Sequence, residues 1–236
     1  MHSPFVPAWL TMVVGTVILI VIVGTRHRAG VVVVVREARA GRLPWYFFIG
    51  GFLGTFFLIT QSLVVPLLGV AVFTVGVVAG QTTGSLLADR VGLAGTGPQS
   101  VTARRVVASI LAIVAVAIAV SDRMTTTQGS VAFVIMAFLA GMVFAPQQAF
   151  NGRVGRAGGS AFIGALGNFV GGTLATSVVL VIVLLAGARP TDLLGAPWWA
   201  YLGGVFGMIA LSSAAAIVPI VGVLLYTLAS VFGQLL

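Results

Sequence analysis

Gln81 and Gln234 stand at the same place in two copies of one sequence element. A primary amide donates and accepts hydrogen bonds and carries no charge. It can therefore hold a polar neutral or zwitterionic solute without burying an ion. Gln147, Gln148, Asn151 and Asn168 lie in or near glycine-rich apolar stretches, and Gln61 falls near the end of another apolar run. Gln81, Gln234, Gln147, Asn151, Asn168 and Gln61 are the candidate substrate-binding residues. Amides also bond across packed helices in lipid, for about 1 kcal/mol each. Every one of these residues thus has a packing role to set beside the binding one.

Other chemistries find few residues to carry them. There is no cysteine, hence no disulfide, thiolate site or cysteine nucleophile. The four acids, Glu37, Asp89, Asp122 and Asp192, all fall in expected loops or at helix ends. No paired carboxylates and no Ser/His/Asp set suggest an enzyme, and no acid inside a span offers itself as a proton carrier. His2 and His27 have no ligand partners at metal-binding spacing. Gly92, Gly95 and Gly97 form a glycine-rich loop, but it lacks a strand–helix setting and a P-loop lysine. No cofactor, metal or nucleotide is expected.

The elements that position the amides must be membrane helices. The chain is 59% hydrophobic and 7% charged, whereas soluble domains carry about 25% charged residues. Apolar runs of about 20 residues recur, and the lack of strict alternation favours helices over a barrel. Eight spans are expected, at 5–25, 45–64, 67–87, 104–121, 130–149, 160–186, 198–217 and 220–236. The first is a span and not a signal peptide, because Arg26 and Arg28 follow it. Segment 26–43 is a polar connection whose Val31–Val35 stretch is too short to span and suits the interface; 88–103 reads as a loop. Pro66 and Pro219 each predict a tight turn between two helices. Trp45, Trp198 and Trp199 suit interfacial anchors. Gly50/Gly54, Gly76/Gly80, Gly167/Gly171 and Gly203/Gly207 have the four-residue spacing that lets helices approach closely.

The net charge of +8 comes from arginine alone. In a soluble protein it would suggest nucleic acid, but here the arginines sit between apolar runs and report topology. Ten of them (Arg26, Arg28, Arg36, Arg39, Arg42, Arg90, Arg104, Arg105, Arg153 and Arg156) fall on one side, against Arg123 and Arg189 on the other. The first side is then cytoplasmic.

A constant offset of 153 relates Pro44-Trp45, Gly50-Gly51, Gly54, Pro66, Gly69 and Gly80-Gln81 to Pro197-Trp198, Gly203-Gly204, Gly207, Pro219, Gly222 and Gly233-Gln234. Further upstream, Ser3, Phe5, Ala8 and Gly15-Thr16 match Ser160, Phe162, Ala165 and Gly172-Thr173. Self-similarity at fixed spacing signals repeats. The expected division is 1–123 and 124–236. The full unit would have five helices, and this chain lacks the first helix of repeat one and the last of repeat two. An odd number of spans inverts the second copy, and the opposite arginine bias of loops 26–43 and 187–197 agrees.

The Pro-Trp, Gly-Gly-x-x-Gly, Pro-x-x-Gly and Gly-Gln pattern, followed by Asp89-Arg90-Val91-Gly92-Leu93 and Arg104-Arg105, resembles the YdcZ family of the drug/metabolite transporter (DMT) superfamily. The Pro146-Gln147-Gln148-Ala149-Phe150-Asn151-Gly152 stretch is similar to that family's first-helix pattern. The resemblance implies an all-α integral membrane protein with a DMT-like 5+5 inverted-repeat helix bundle, about eight of whose ten transmembrane helices are present. It implies a multi-pass protein of the cytoplasmic (inner) membrane that exports a small organic molecule by alternating access. The expected partners are membrane lipids and the small-molecule substrate, with no nucleic acid, and a homodimer is compatible. A non-transporting scaffold or accessory protein, or a lipid-carrier flippase, are the alternative readings.

Overall fold

The computed structural model describes residues 5–95, 130–187 and 202–235, with scattered positions between 97 and 118. Eight helices are assigned among these residues: α1 (Phe5–Arg26), α2 (Arg28–Arg39), α3 (Gly50–Leu68), α4 (Val70–Arg90), α5 (Ser130–Ala157), α6 (Ala161–Leu185), α7 (Leu202–Val221) and α8 (Val223–Leu235). A short 3-10 helix, Trp45–Ile49, leads into α3. No strand occurs among the described residues. Among the described residues six segments are long and apolar enough to cross a membrane: α1, α3 with its 3-10 turn, α4, α5, α6 and α7. Large apolar side chains remain exposed on them, among them Val21 on α1, Leu174 and Ile182 on α6, and Phe206 and Ile220 on α7. In water each would forfeit about 25 cal/mol per Å² of apolar surface, so lipid is the solvent these helices require.

The structure departs from the sequence expectations at several places. Pro66 and Pro219 do not form the turns; each sits in the last turn of its helix. The break falls three residues later, at Gly69 (φ 81°) and Gly222 (φ 88°), where only glycine adopts the left-handed backbone without strain. The two breaks are built alike. Gly69 donates to the Val65 carbonyl (2.9 Å) and Phe73 to Gly69 (3.2 Å); Gly222 donates to Val218 (2.9 Å) and Tyr226 to Gly222 (3.5 Å). The expected 130–149 span continues as helix to Ala157, and Gly159 (φ 70°) ends it. Segment 26–43 contains α2, on which Val34 is buried while Val32, Val33 and Val35 stay exposed, as does Arg36. At its end Arg42 pairs with Glu37 (2.7 Å), and that hydrogen bond holds the Glu37 carboxyl below its ordinary pKa. Of the 104–121 span only Val106, Val107, Ile110, Leu111, Val114 and Ile118 are described, all as helix; Arg123, Arg189, Asp122, Asp192, Trp198 and Trp199 lie outside the described residues. α8, at 13 residues, covers about 20 Å, short of the roughly 30 Å hydrocarbon core.

The described helices form two compact units, each drawing on both halves of the sequence. The first comprises residues 1–55 and 150–217. Its centre is the packing of α1 on α6. Trp9 Nε1 donates to Ser177 Oγ (2.8 Å), the Thr16 and Thr173 hydroxyls bond (2.7 Å), and His27 stacks on Phe162 (5.8 Å). Residue numbers rise along α1 as they fall along α6, so the two helices run antiparallel. Small residues permit the approach: a Cβ at Gly15 would collide with the Phe169 ring, and one at Gly172 would lie 2.8 Å from Met12 Sδ. Gly51 meets the α6 backbone at Asn168 and Gly171–Gly172, and Gly204 of α7 meets α1 at Thr11.

The second unit comprises residues 56–149 and 218–236. Val64, Leu68, Val72, Phe73, Val77, Ala79 and Ala137 make its core. α4 and α5 run parallel through a glycine seam: Gly76 faces Ala137, Gly80 the Phe138 carbonyl, Gly84 the Met142 carbonyl, and Gly141 the Val77 carbonyl. α4 also packs on α8, antiparallel, with Ser85 Oγ and Thr227 Oγ1 2.8 Å apart.

Candidate solute site

The polar groups buried in this apolar protein are almost all amides and hydroxyls. In the second unit Gln81 lies on α4 and Gln147 and Gln148 on α5, and all three are buried. Glycine places them there. Gly141 carries no Cβ and so lets α5 close on the α4 backbone at Val77 and Gln81. Pro146 precedes the two α5 glutamines and lacks an N–H, so the Met142 carbonyl loses its usual helical partner. Gly84 lies against that carbonyl. The Oε1 atoms of Gln147 and Gln148 are buried with no protein partner, as is Thr60 Oγ1 of α3.

The first unit holds a smaller polar set. Asn168 Nδ2 donates to Asn151 Oδ1 at 3.3 Å, and both residues are 2% exposed. Gly164 lets α6 seat against the Asn151 carbonyl and so brings the two side chains together. Asn151 Nδ2 and Ser212 Oγ are buried without a partner. An unpaired buried polar group costs about 1–3 kcal/mol, and in lipid no bulk water relieves it. Such atoms are retained where something else supplies the hydrogen bond.

Of the six predicted residues, Gln81, Gln147, Asn151 and Asn168 are therefore buried. Gln61 is exposed on α3. Gln234 belongs to the last turn of α8, and its side chain lies outside the described residues. No group of three or more His, Asp or Glu side chains capable of holding a metal occurs among the described residues.

The expected 88–103 loop starts later than 88, because α4 runs on to Arg90: Asp89 is at a helix end, as expected, but as the next-to-last residue of α4 it lies inside the apolar segment Val70–Arg90 and is 1% exposed. Its carboxylate accepts from the Val223 N–H (Oδ1, 2.8 Å) and the Leu224 N–H (Oδ2, 3.1 Å). These are the first N–H groups of α8 after the Gly222 break, which no helical carbonyl satisfies. A negative charge at a helix N-terminus also gains from the macrodipole. The sequence held one clue: Val70 to Ala88 contains no charge or proline, so the helix had no reason to stop before Asp89.

Each of the two polar sets can thus hydrogen-bond a polar, uncharged group inside its own apolar unit; the described residues of neither hold a nucleophile–base pair. A family model described as "Putative inner membrane exporter, YdcZ" matches residues 1–118 and 132–236. No curated protein and no solved structure matches the chain. Because the family match spans nearly its whole length and its helices repeatedly meet the requirements for crossing a membrane, the chain belongs to the YdcZ family of inner membrane exporters and is a multi-pass membrane protein.

Proposed function

We propose that the protein exports a small polar, neutral or zwitterionic organic molecule by alternating access between two inverted repeats. The observation that carries this reading is the set of buried amides with unpaired atoms, Gln147, Gln148 and Asn151. A passing solute would supply the missing hydrogen bonds, and the site would release it again because no ion pair holds it.

The repeat reading draws support from the local geometry. Gly69 and Gly222 make the same break at repeat-equivalent positions. α1 and α6 carry equivalent sequence and pack antiparallel, and the equivalent threonines, Thr16 and Thr173, bond to each other. Equivalent residues meet in this way across a two-fold axis perpendicular to the helices, the symmetry of an inverted repeat. The two family-matched segments flank residues 119–131, where the division at 123/124 falls.

The test is a thermal-shift screen in detergent with amino acids, sugars, amines, cationic drugs and lipid carriers, followed by flux of each hit in proteoliposomes. A ligand at 100 times its Kd stabilises the folded state by about 2.7 kcal/mol. A neutral or zwitterionic hit should lose its shift in Gln147→Leu and Asn151→Leu. Hits confined to cations, or a shift unchanged in both variants, would reject the amide site.

A further inference from the structure

We propose that a cleft beside the C-terminal end of α4 is a lipid site, holding an acyl chain of an anionic phospholipid with its phosphate at Arg90. The glycine seam explains the cleft. α4 and α5 touch at Gly76, Gly80 and Gly84, and the seam stops there. At this end of the seam Gly84, Leu87, Ala88, Leu139, Met142 and Pro146 line a cavity of about 370 Å³. That volume lies within the usual range for a small-molecule site.

Three observations select the occupant. Among the described residues the wall has no amide, hydroxyl or acid, so a polar solute gains nothing from them; the buried amides are not part of it. The cleft sits at the end of the apolar segment Val70–Arg90, the depth at which tails meet headgroups. Its one cation, Arg90, is exposed at the rim and forms no ion pair among the described residues. The neighbouring carboxylate of Asp89 is turned to the α8 N-terminus, where it accepts from the Val223 and Leu224 N–H groups. The arginine bias places this end on the cytoplasmic side, where anionic lipid attracts cationic side chains. A phosphate accepts from a guanidinium in bidentate fashion, which phosphatidylcholine offers only against its own choline charge.

The inference rests on membrane residence and not on transport, and its test involves no flux. The protein is reconstituted in bilayers of equal phosphatidylglycerol and phosphatidylcholine, extracted mildly, and weighed intact with its bound lipid. Retention of phosphatidylglycerol should exceed that of phosphatidylcholine several-fold. Arg90→Gln should abolish the preference while leaving some lipid bound. Leu139→Trp, which fills the cleft from its exposed rim, should lower retention of both lipids. Arg36→Gln on α2 should change neither. Equal retention of the two lipids by the unmodified protein, or a preference that survives Arg90→Gln, overturns the proposal. If Leu139→Trp fails to fold, Leu87→Trp from the opposite wall takes its place, and undiminished retention there overturns the cleft.

Discussion

An acid at the end of an apolar helix is costly in lipid unless its charge is engaged, and Asp89 is engaged by two backbone N–H groups. The geometry is that of an N-cap supplied from another helix. Gly222 cannot cap with a side chain, because it has none, and its φ of 88° suits glycine alone. The capping is therefore delegated to α4. Asp89→Ala should cost about 1–2 kcal/mol, read as a lower midpoint in thermal unfolding in detergent. Asp89→Asn should cost less, since an amide oxygen still accepts one bond. An Asp89→Ala protein as stable as the parent would show that the α8 N-terminus is satisfied otherwise.

Glycine sets the distance between helices, and it does so position by position. A Cβ at Gly80 would overlap the Phe138 carbonyl, whereas one at Gly167 meets nothing within 4 Å. Gly80→Ala should therefore destabilise by about 1–3 kcal/mol through overpacking. Gly167→Ala should be neutral or stabilising by up to about 1 kcal/mol, from helix propensity alone. The pair of melting temperatures distinguishes a packing seam from incidental glycine. Pairing is open to a second check, because the chain has no cysteine of its own. Thr16 and Thr173 present hydroxyls 2.7 Å apart, so Thr16→Cys with Thr173→Cys should cross-link under mild oxidation. Thr16→Cys with Thr176→Cys, one turn away, should cross-link more slowly. Equal rates would contradict the antiparallel register of α1 and α6.

For the molecule as a whole, orientation follows from where its cations stand. Ala40 lies in the arginine-rich connection after α2, and Ala186 just past α6; both are exposed. An impermeant maleimide should label Ala186→Cys in intact cells, and Ala40→Cys only after the membrane is opened. Labelling of both from outside would reject the assigned topology and with it the inverted repeat. The same sidedness underlies the alternating-access reading. α4 and α8 are joined by Asp89 and Ser85 near the C-terminal end of α4.

Membrane residence and the family were legible in the residues, because each depends on composition and spacing: long apolar runs call for lipid, and the Pro-Trp, Gly-Gly and Gly-Gln pattern stands in the chain whatever it does in space. The Pro-x-x-Gly element was visible too, although which of its residues makes the break was not. Proline only forbids one hydrogen bond, while a break also needs a backbone that turns left-handed, and this becomes evident at Gly69 and Gly222 only in three dimensions. The amides were identifiable as a residue class. Their sorting into buried Gln81, Gln147, Asn151 and Asn168 and exposed Gln61 was decided by helix rotation. In helices apolar on every side, no amphipathic pattern records that rotation. Asp89 shows the same division most clearly. Its partners, Val223 and Leu224, lie more than 130 residues away and offer backbone groups that any sequence would carry. Only the packing of α8 against α4 brings them to the acid.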